Sequence, residues 1–346
     1  MFESFFIKQA LQKSTSLIFD EFLKKYQHHT ILITGAGGSI GSKIVEELVK
    51  INIKNIVLLD HSELHLFKLK KKYSSLDFSY EIGDIRDHKK IDFIWSLYKP
   101  KLVIHAAAYK HVSLVENDMY ELIRTNLEGT INVYTSSLKH KVSDFIFIST
   151  DKAVNPVNNM GVSKMLAELF LKSYFKTNTL NTKIIRFGNV INSNGSVVPI
   201  FIDNIKDGTP MEVRGKDVER YFIYDTVVAK SILNCSIENK NGMYLLEMNT
   251  PIKILDLANY LNKENKTKSS IKITALEKKE KKKEELLNFN ESVEVTNDHN
   301  CYRIINPLTI DVEIRKEIID IVTINKNFNS EFLNNKIKLV HKKTIL

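Results

Sequence analysis

From Thr30 onward the chain alternates short apolar runs with longer stretches whose apolar residues recur at helical spacing. The runs are ILITG at 31–35, NIVLLD at 55–60, FSYEIGD at 78–84, LVIHAAA at 102–108, FIFIST at 145–150 and TKIIRFGNV at 182–190. Strands that alternate with helices predict right-handed βαβ units and an α/β fold whose parallel sheet is covered on both faces. Upstream, Phe2, Phe6, Ile7, Leu11, Ile18, Phe22 and Leu23 follow mostly helical spacing, which predicts an amphipathic arm over residues 1–29. Past residue 190 the regularity fades to isolated segments, MEVRG at 211–215 and GMYLLEM at 242–248. The expected division is therefore an arm at 1–29, a main domain at 30–190 to which 221–240 returns, and 191–346 as mainly a smaller lobe and a tail. The tail from Thr309 alternates Ile, Val and Leu with charge, and no role follows from it.

Composition changes this picture little. With 346 residues, 43% hydrophobic and 26% charged, the chain has the make-up of a globular protein, not a disordered one. No apolar run approaches the roughly 20 residues of a membrane helix, and MFESFFIKQALQK has no basic region and cleavage site of a signal peptide. The expected location is cytoplasmic, with no membrane partner. The net charge of +9 comes from scattered lysines, interleaved with glutamates in EKKEKKKEE at 277–285. That pattern reads as a solvated face, not a nucleic-acid stripe. Cys235 and Cys301 have no metal-ligand spacing, so no metal site is expected and two buried, idle thiols are.

GAGGSIG at 35–41 follows the strand ILIT and opens the helical stretch SKIVEELVK. Gly35 permits the tight turn, Gly38 lets the backbone approach a pyrophosphate, and Gly41 allows close helix packing, while the helix start offers free N–H groups through Ser39 and Ile40. Asp60 ends the second strand about 25 residues on, where a carboxylate accepts from the adenosine ribose and repels a 2′-phosphate. His61 and Ser62 supply no arginine for such a phosphate, so NAD is favoured over NADP. The fold class is thus a Rossmann-type doubly wound sheet with a smaller C-terminal substrate-binding lobe. Asp84 and Ile85 end the third strand, where Asp84 either meets the adenine or caps a helix. Ala106, Ala107 and Ala108 leave room for a cofactor beside the fourth strand, or are ordinary packing.

Residues 149–164, STDKAVNPVNNMGVSK, together with GAGGSIGS, LLDHSE, HAAAYKHV, NLEGT and RFGNVINSNGSVVPIF, make residues 30 to about 260 resemble the nucleotide-sugar 4,6-dehydratases. These belong to the extended short-chain dehydrogenase/reductase superfamily, in its capsule- and flagellar-glycan branch. The resemblance implies a redox-neutral cycle with a tightly bound, recycled NAD. Hydride leaves sugar carbon 4, water is lost across carbons 5 and 6, and hydride returns to carbon 6. It implies that Asp151 and Lys152 are the acid and base pair, and that Lys164 holds the nicotinamide ribose. A lysine base needs its pKa lowered by burial or cationic neighbours, a role open to Lys164 and the nicotinamide cation. The superfamily's YxxxK tyrosine is replaced by Met160, whose thioether cannot deprotonate a hydroxyl. One branch of the dehydratases resembles this sequence in carrying Met-Gly there, and Asp151, helped by Thr150, is the expected substitute.

By the same resemblance Lys110 and His111 approach the substrate, Asn189 and the turn carrying Ser196 and Val197 grip the sugar diphosphate, and Arg220 is a phosphate clamp or else a surface ion pair. The family's Arg-Pro-Gly-Glu-Lys loop, due after KITA at 272–275, is replaced by LEKKEKKKEELL. This loss shifts the expected substrate slightly from UDP- to GDP-N-acetylglucosamine, on the way to surface-glycan sugars such as legionaminic acid or bacillosamine. A homodimer or higher homo-oligomer through two sheet-flanking helices is expected. The competing readings are a UDP-sugar epimerase, which needs no Asp-Lys pair beyond its oxidising base, and a non-catalytic NAD-binding sensor, against which Thr150, Asp151, Lys152 and Lys164 argue.

Overall fold

The computed structural model describes residues 19–176, 179–296, 301–305, 310–327 and 330–345. Phe2, Phe6, Ile7, Leu11 and Ile18 of the expected arm lie outside the described residues. Strands β1 (Ile31–Thr34), β2 (Ile56–Asp60), β3 (Ser79–Ile82), β4 (Leu102–His105), β5 (Asp144–Ile148) and β6 (Asn181–Arg186) form in the six apolar runs. They pair in parallel in the order β3-β2-β1-β4-β5-β6, so the direction of winding reverses between β1 and β4. Both faces are covered, which explains why the runs are continuously apolar: Leu32, Val57, Val103 and Phe145 pack into one buried layer, and Ile31, Leu58, Ile104 and Ile146 into the other.

The chain then builds β7 (Asn189–Ile191), β8 (Met211–Arg214), β9 (Glu219–Arg220), β10 (Phe222–Tyr224), β11 (Gly242–Leu246), β12 (Ile252–Lys253), β13 (Ile271–Thr274), β14 (Ser292–Val295) and β15 (Cys301–Ile305). The lobe has its own core, in which Val198 and Phe201 of one helix meet Met211, Val213, Leu257 and Leu261. It does not run through 191–346, however. Strand β11 extends the main sheet in parallel beyond β6, and β15 and β14 close that edge antiparallel. Helix Asp225–Ile237 packs on helix Ser39–Lys50. The tail also acquires a place. Helix Val312–Lys326 lies on the Ile123–Glu128 segment and on helix Asn159–Lys172 and is paired with helix Ser330–Ile345; Ile318, Ile321 and Val340 join the buried layer. The division at 190 is thus corrected, because apolar positions far along the chain complete the first domain's sheet and cover its helices. Part of the outer face of the Ile123–Glu128 segment and of helix Asn159–Lys172 is thereby covered by this chain itself.

At the N-terminal side, helix Phe19–Tyr26 buries Phe22 and Tyr26 under the sheet, where the Tyr26 hydroxyl donates to Ser236 O at 2.8 Å. Cys235 and Cys301 are both buried in the same layer, with no disulfide between them and their Sγ atoms 2.7 Å apart. Among the described residues, no helix is long and apolar enough to cross a membrane.

The end of β6 is tied down by charge. Arg186 donates from Nε and Nη2 to the two carboxylate oxygens of Glu168 at 2.8 and 2.5 Å, and from Nη1 to Glu291 at 2.7 Å, all within the interior. Removing Arg186 takes away every hydrogen-bonded cation these two buried carboxylates are shown to have and leaves Lys172 alone to offset them. Arg186→Ala should therefore destabilise the protein by about 3–5 kcal/mol in urea unfolding; a loss under about 1 kcal/mol would show that the triad does not carry this joint.

Candidate active site

The groove opens at the C-terminal ends of β1 and β4, on either side of the winding reversal, where α/β sheets place ligands. Gly35 has φ +64°, and a Cβ there would lie 2.7 Å from Ala107 Cα, so only glycine lets the turn close on the end of β4. A Cβ on Gly41 would meet Gly35 O at 2.2 Å, which keeps the helix against the turn. Gly38, by contrast, has only Gly35 O near its missing side chain. It caps helix Ser39–Lys50 without any side-chain hydrogen bond, and the first turn holds no acidic residue, so its N–H groups remain available to an anion. Asp60 is buried with Oδ2 accepting from Gly37 N and Oδ1 from Ser62 N, each at 2.9 Å.

Gly35, Gly38, Asp60, His61, Asp84, Ile85 and Ala106–Ala108 line one pocket. Asp84 is neither a helix cap nor free: the cap of helix His88–Tyr98 is Asp87, and Arg86 forks onto Asp84 at 2.6–3.0 Å while reaching Glu121 at 2.7 Å. Burial works to raise the Asp84 pKa, but the bonds from Arg86 outweigh it and hold the carboxyl below its usual range. The groove residues present an uncapped helix start, a glycine floor and a buried carboxylate at one end.

A second cavity continues from Gly38, Ser39, Ile40, Ala106 and Ala108 and is walled by Lys110, His111, Thr150, Lys152, Met160, Lys164, Asn189, Ser196 and Val197. The structure therefore brings residues from three distant segments to one wall. Ser39 Oγ bridges it, accepting from Lys110 Nζ at 3.2 Å and from Asn194 N at 3.1 Å. Met160 packs against Val115 and Leu122, so its place holds an apolar contact and no proton carrier. Asp151 lies just behind the wall. Its Oδ1 accepts from Thr150 Oγ1 at 2.9 Å and Lys152 Nζ at 3.1 Å, whereas among the described residues its buried Oδ2 meets no hydrogen-bond donor.

Two expectations change here. Of the cations expected to act on Lys152, Lys164 is not among the shown partners of its Nζ, which are Asp151 Oδ1, Asn189 Oδ1 at 3.0 Å and Glu284 Oε1 at 3.6 Å. Lysine charge is instead suppressed at Lys164, where burial lowers the pKa to about 7 against a small opposing effect of Glu168. Its Nζ donates to Ile148 O at 2.6 Å and lies 3.8 Å over the Phe147 ring. Nearby His105 is fully buried between Thr34 and Thr130, and burial together with Lys164 drives it down to about 3, so it stays neutral. Arg220 is also corrected. Its guanidinium is not on the cavity wall and is not a solvent-exposed ion pair, but donates to the carbonyls of Glu219 and Lys282 at 2.8 and 3.2 Å.

The sequence profile of the polysaccharide biosynthesis proteins matches residues 31–306. The chain belongs to this family. It is 37% identical over 321 residues to the capsular polysaccharide biosynthesis protein CapD of Staphylococcus aureus, a match taking in 90% of this chain and 53% of that one. The chain thus spans about half the length of that relative. Among solved structures, Pen from Bacillus thuringiensis superposes with a TM-score of 0.74 at 28% identity, over 82% of this chain and 88% of that one. DesIV of Streptomyces venezuelae, a dTDP-glucose 4,6-dehydratase with NAD and TYD bound, has a TM-score of 0.67 at 20% identity over 74% and 89%, and shows the fold alone.

Within this member of the polysaccharide biosynthesis family, two residues had been given no role from the sequence: Asn126, which opens the quoted NLEGT, and Glu284. Asn126 clamps the Tyr109 backbone, accepting from its N at 2.8 Å and donating to its O at 3.1 Å, and so sets the neighbouring Lys110. Glu284 was merged into a charge run, although the run turns apolar at Leu286 and Leu287, which pack on the upper core.

The pKa of Lys164 fixes the sign of a pH effect. Its folded value, about 7, lies below the 10.5 of a free lysine, so between the two the unfolded chain binds the extra proton. Stability from this site therefore rises with pH through that window. Urea unfolding of nucleotide-free protein across pH 7 to 10 should show the rise, and Lys164→Met should flatten it. Identical slopes for the two proteins would contradict a Lys164 that is neutral in the folded state.

Proposed function

We propose that this chain is an NAD-dependent nucleotide-sugar 4,6-dehydratase acting on a nucleoside-diphospho-N-acetylglucosamine. The observation that carries this reading is the Thr150 hydroxyl on the cavity wall, donating to Asp151 Oδ1 beside Lys152 and across from Lys164. A hydroxyl backed by a carboxylate can take the proton of the sugar 4-hydroxyl, the task for which Met160 is unsuited. Lys152, held by Asp151 and Asn189, passes a proton to the departing 6-hydroxyl and, as the amine so formed, takes the carbon 5 proton acidified by the 4-ketone, so that one water leaves and the lysine ends as it began. Lys164 reaches the ribose side of the wall. The bound nicotinamide supplies the acceptor and donor of hydride. NAD is favoured over NADP because Asp60 faces the groove and Arg86, the nearest arginine on its wall, is engaged by Asp84 and Glu121.

At the sugar-nucleotide end, Ser196 starts helix Val197–Asp207 with no side-chain cap, and Asn189 and Lys110 share its wall, a set suited to a diphosphate. Glu277 and Glu280 occupy the segment after β13 and pair with Arg214 at 2.8 and 3.4 Å, where an arginine facing the nucleotide was to be expected. That difference supports GDP over UDP. The product would be the 4-keto-6-deoxy sugar nucleotide.

Purified protein incubated separately with UDP- and GDP-N-acetylglucosamine should yield a product lighter by one water, with its NAD content unchanged. Loss of water from neither would end the dehydratase reading. Asp151→Asn should lower kcat about 10²- to 10⁴-fold, and wild-type turnover by that variant would remove Asp151 from the proton path.

A further inference from the structure

We propose that Glu284 is a positioning residue for Lys152, carried to the active site by a strap that ties the lobe to the catalytic turn. The inference rests on the dehydratase reading only for the reaction it affects. The strap is residues 281–285, the second half of the run whose alternating charge suggests a solvated face. Instead, it is stitched on both sides. Toward the catalytic turn, Lys281 Nζ donates to Val154 O at 2.9 Å and Asn155 Nδ2 donates to Glu285 Oε2 at 2.8 Å. Toward the lobe, Lys282 O accepts from Glu219 N at 2.8 Å and from Arg220 Nη1 at 3.2 Å.

Between these anchors Glu284 turns inward and is 5% exposed. Its Oε1 lies 3.6 Å from Lys152 Nζ and 3.9 Å from Arg220 Nε. Both separations are beyond hydrogen-bond length, so the carboxylate acts by charge and not by a directed bond. Asp151 and Glu284 then balance Lys152 and Arg220 in a region largely shut off from water, where an unmatched charge is costly. Glu284 is not on the cavity wall and does not touch the reacting atoms. Its effect passes through Lys152, whose Nζ it holds in place as a proton donor for the elimination.

Charge and shape are separable by substitution. Glu284→Gln keeps the shape and removes the charge; Glu284→Asp keeps the charge on a shorter stem. Charge positioning predicts a kcat about 10-fold or more lower in the Gln variant with KM changed less than about 3-fold, and a smaller loss in the Asp variant. A purely structural role predicts the reverse order. A second readout needs no turnover: acylation of Lys152 by acetic anhydride, followed by peptide mass spectrometry on the whole chain. Loss of the neighbouring negative charge eases formation of the free amine, so Lys152 should acylate several-fold faster in Glu284→Gln than in wild type. Faster acylation with no wild-type turnover on either sugar nucleotide would sink the dehydratase reading and leave the positioning role standing. Unchanged acylation, or an active wild type whose Gln variant keeps full kcat, would overturn the role of Glu284. Should the Gln variant not fold, the Asp variant carries the test: its carboxylate sits one methylene further from Lys152, so faster acylation of Lys152 together with a lowered kcat upholds the role, and wild-type values of both overturn it.

Discussion

The structure depends on one close approach: the backbone of Gly35 against the backbone of Ala107. With a Cβ 2.7 Å from Ala107 Cα, any side chain at Gly35 would push β1 and β4 apart at the point where the sheet reverses its winding. That contact keeps the groove narrow at its floor, aims the uncapped start of helix Ser39–Lys50 along it, and places Asp60 at one end and Ser39 at the other. Ser39 in turn touches Lys110 and the Asn194 backbone, so the same turn that shapes the cofactor groove also bounds the second cavity. A single steric condition thus links both halves of the cleft.

Within the cleft, the two lysines are set apart by their surroundings. Lys164 is fully buried beside an aromatic ring and a carbonyl with no carboxylate in hydrogen-bond contact, and its charge is disfavoured. Lys152, on the wall of the same cavity, faces two carboxylates and an amide oxygen. The same residue type therefore stands in two different environments, one apolar and one ringed by oxygen acceptors. Met160 contributes to this separation by filling its place with apolar volume against Val115 and Leu122. The Thr150 hydroxyl, hydrogen-bonded to Asp151, is the group we propose for the proton path.

Much of the fold was legible because its signals are local. The six apolar runs needed only period and length to be read as strands, and GAGGSIG needed only its neighbours to be read as a strand-to-helix turn. Thr150, Asp151, Lys152 and Lys164 lie within one short stretch, so their gathering at one wall follows from a turn and the start of a helix. Less was legible where contacts join distant segments. The tail could not be assigned because the layer that Ile318, Ile321 and Val340 complete is built from residues far upstream. Arg220 was read as a phosphate clamp because its own strand does not reveal that the Lys282 carbonyl lies within its reach.

The sequence by itself determined the order of strands and helices, the dinucleotide turn, the carboxylate at Asp60 and the set of groups able to move protons. Each depends on side-chain period, backbone freedom at glycine or functional-group chemistry, which are properties of a few adjacent residues. Only the tertiary structure decided which charges meet. The run EKKEKKKEE has the pattern of a solvated face, yet its Glu284 is buried between Lys152 and Arg220. Burial and ion pairing depend on separations in space, and those were set when β9, the strap and the catalytic turn packed together.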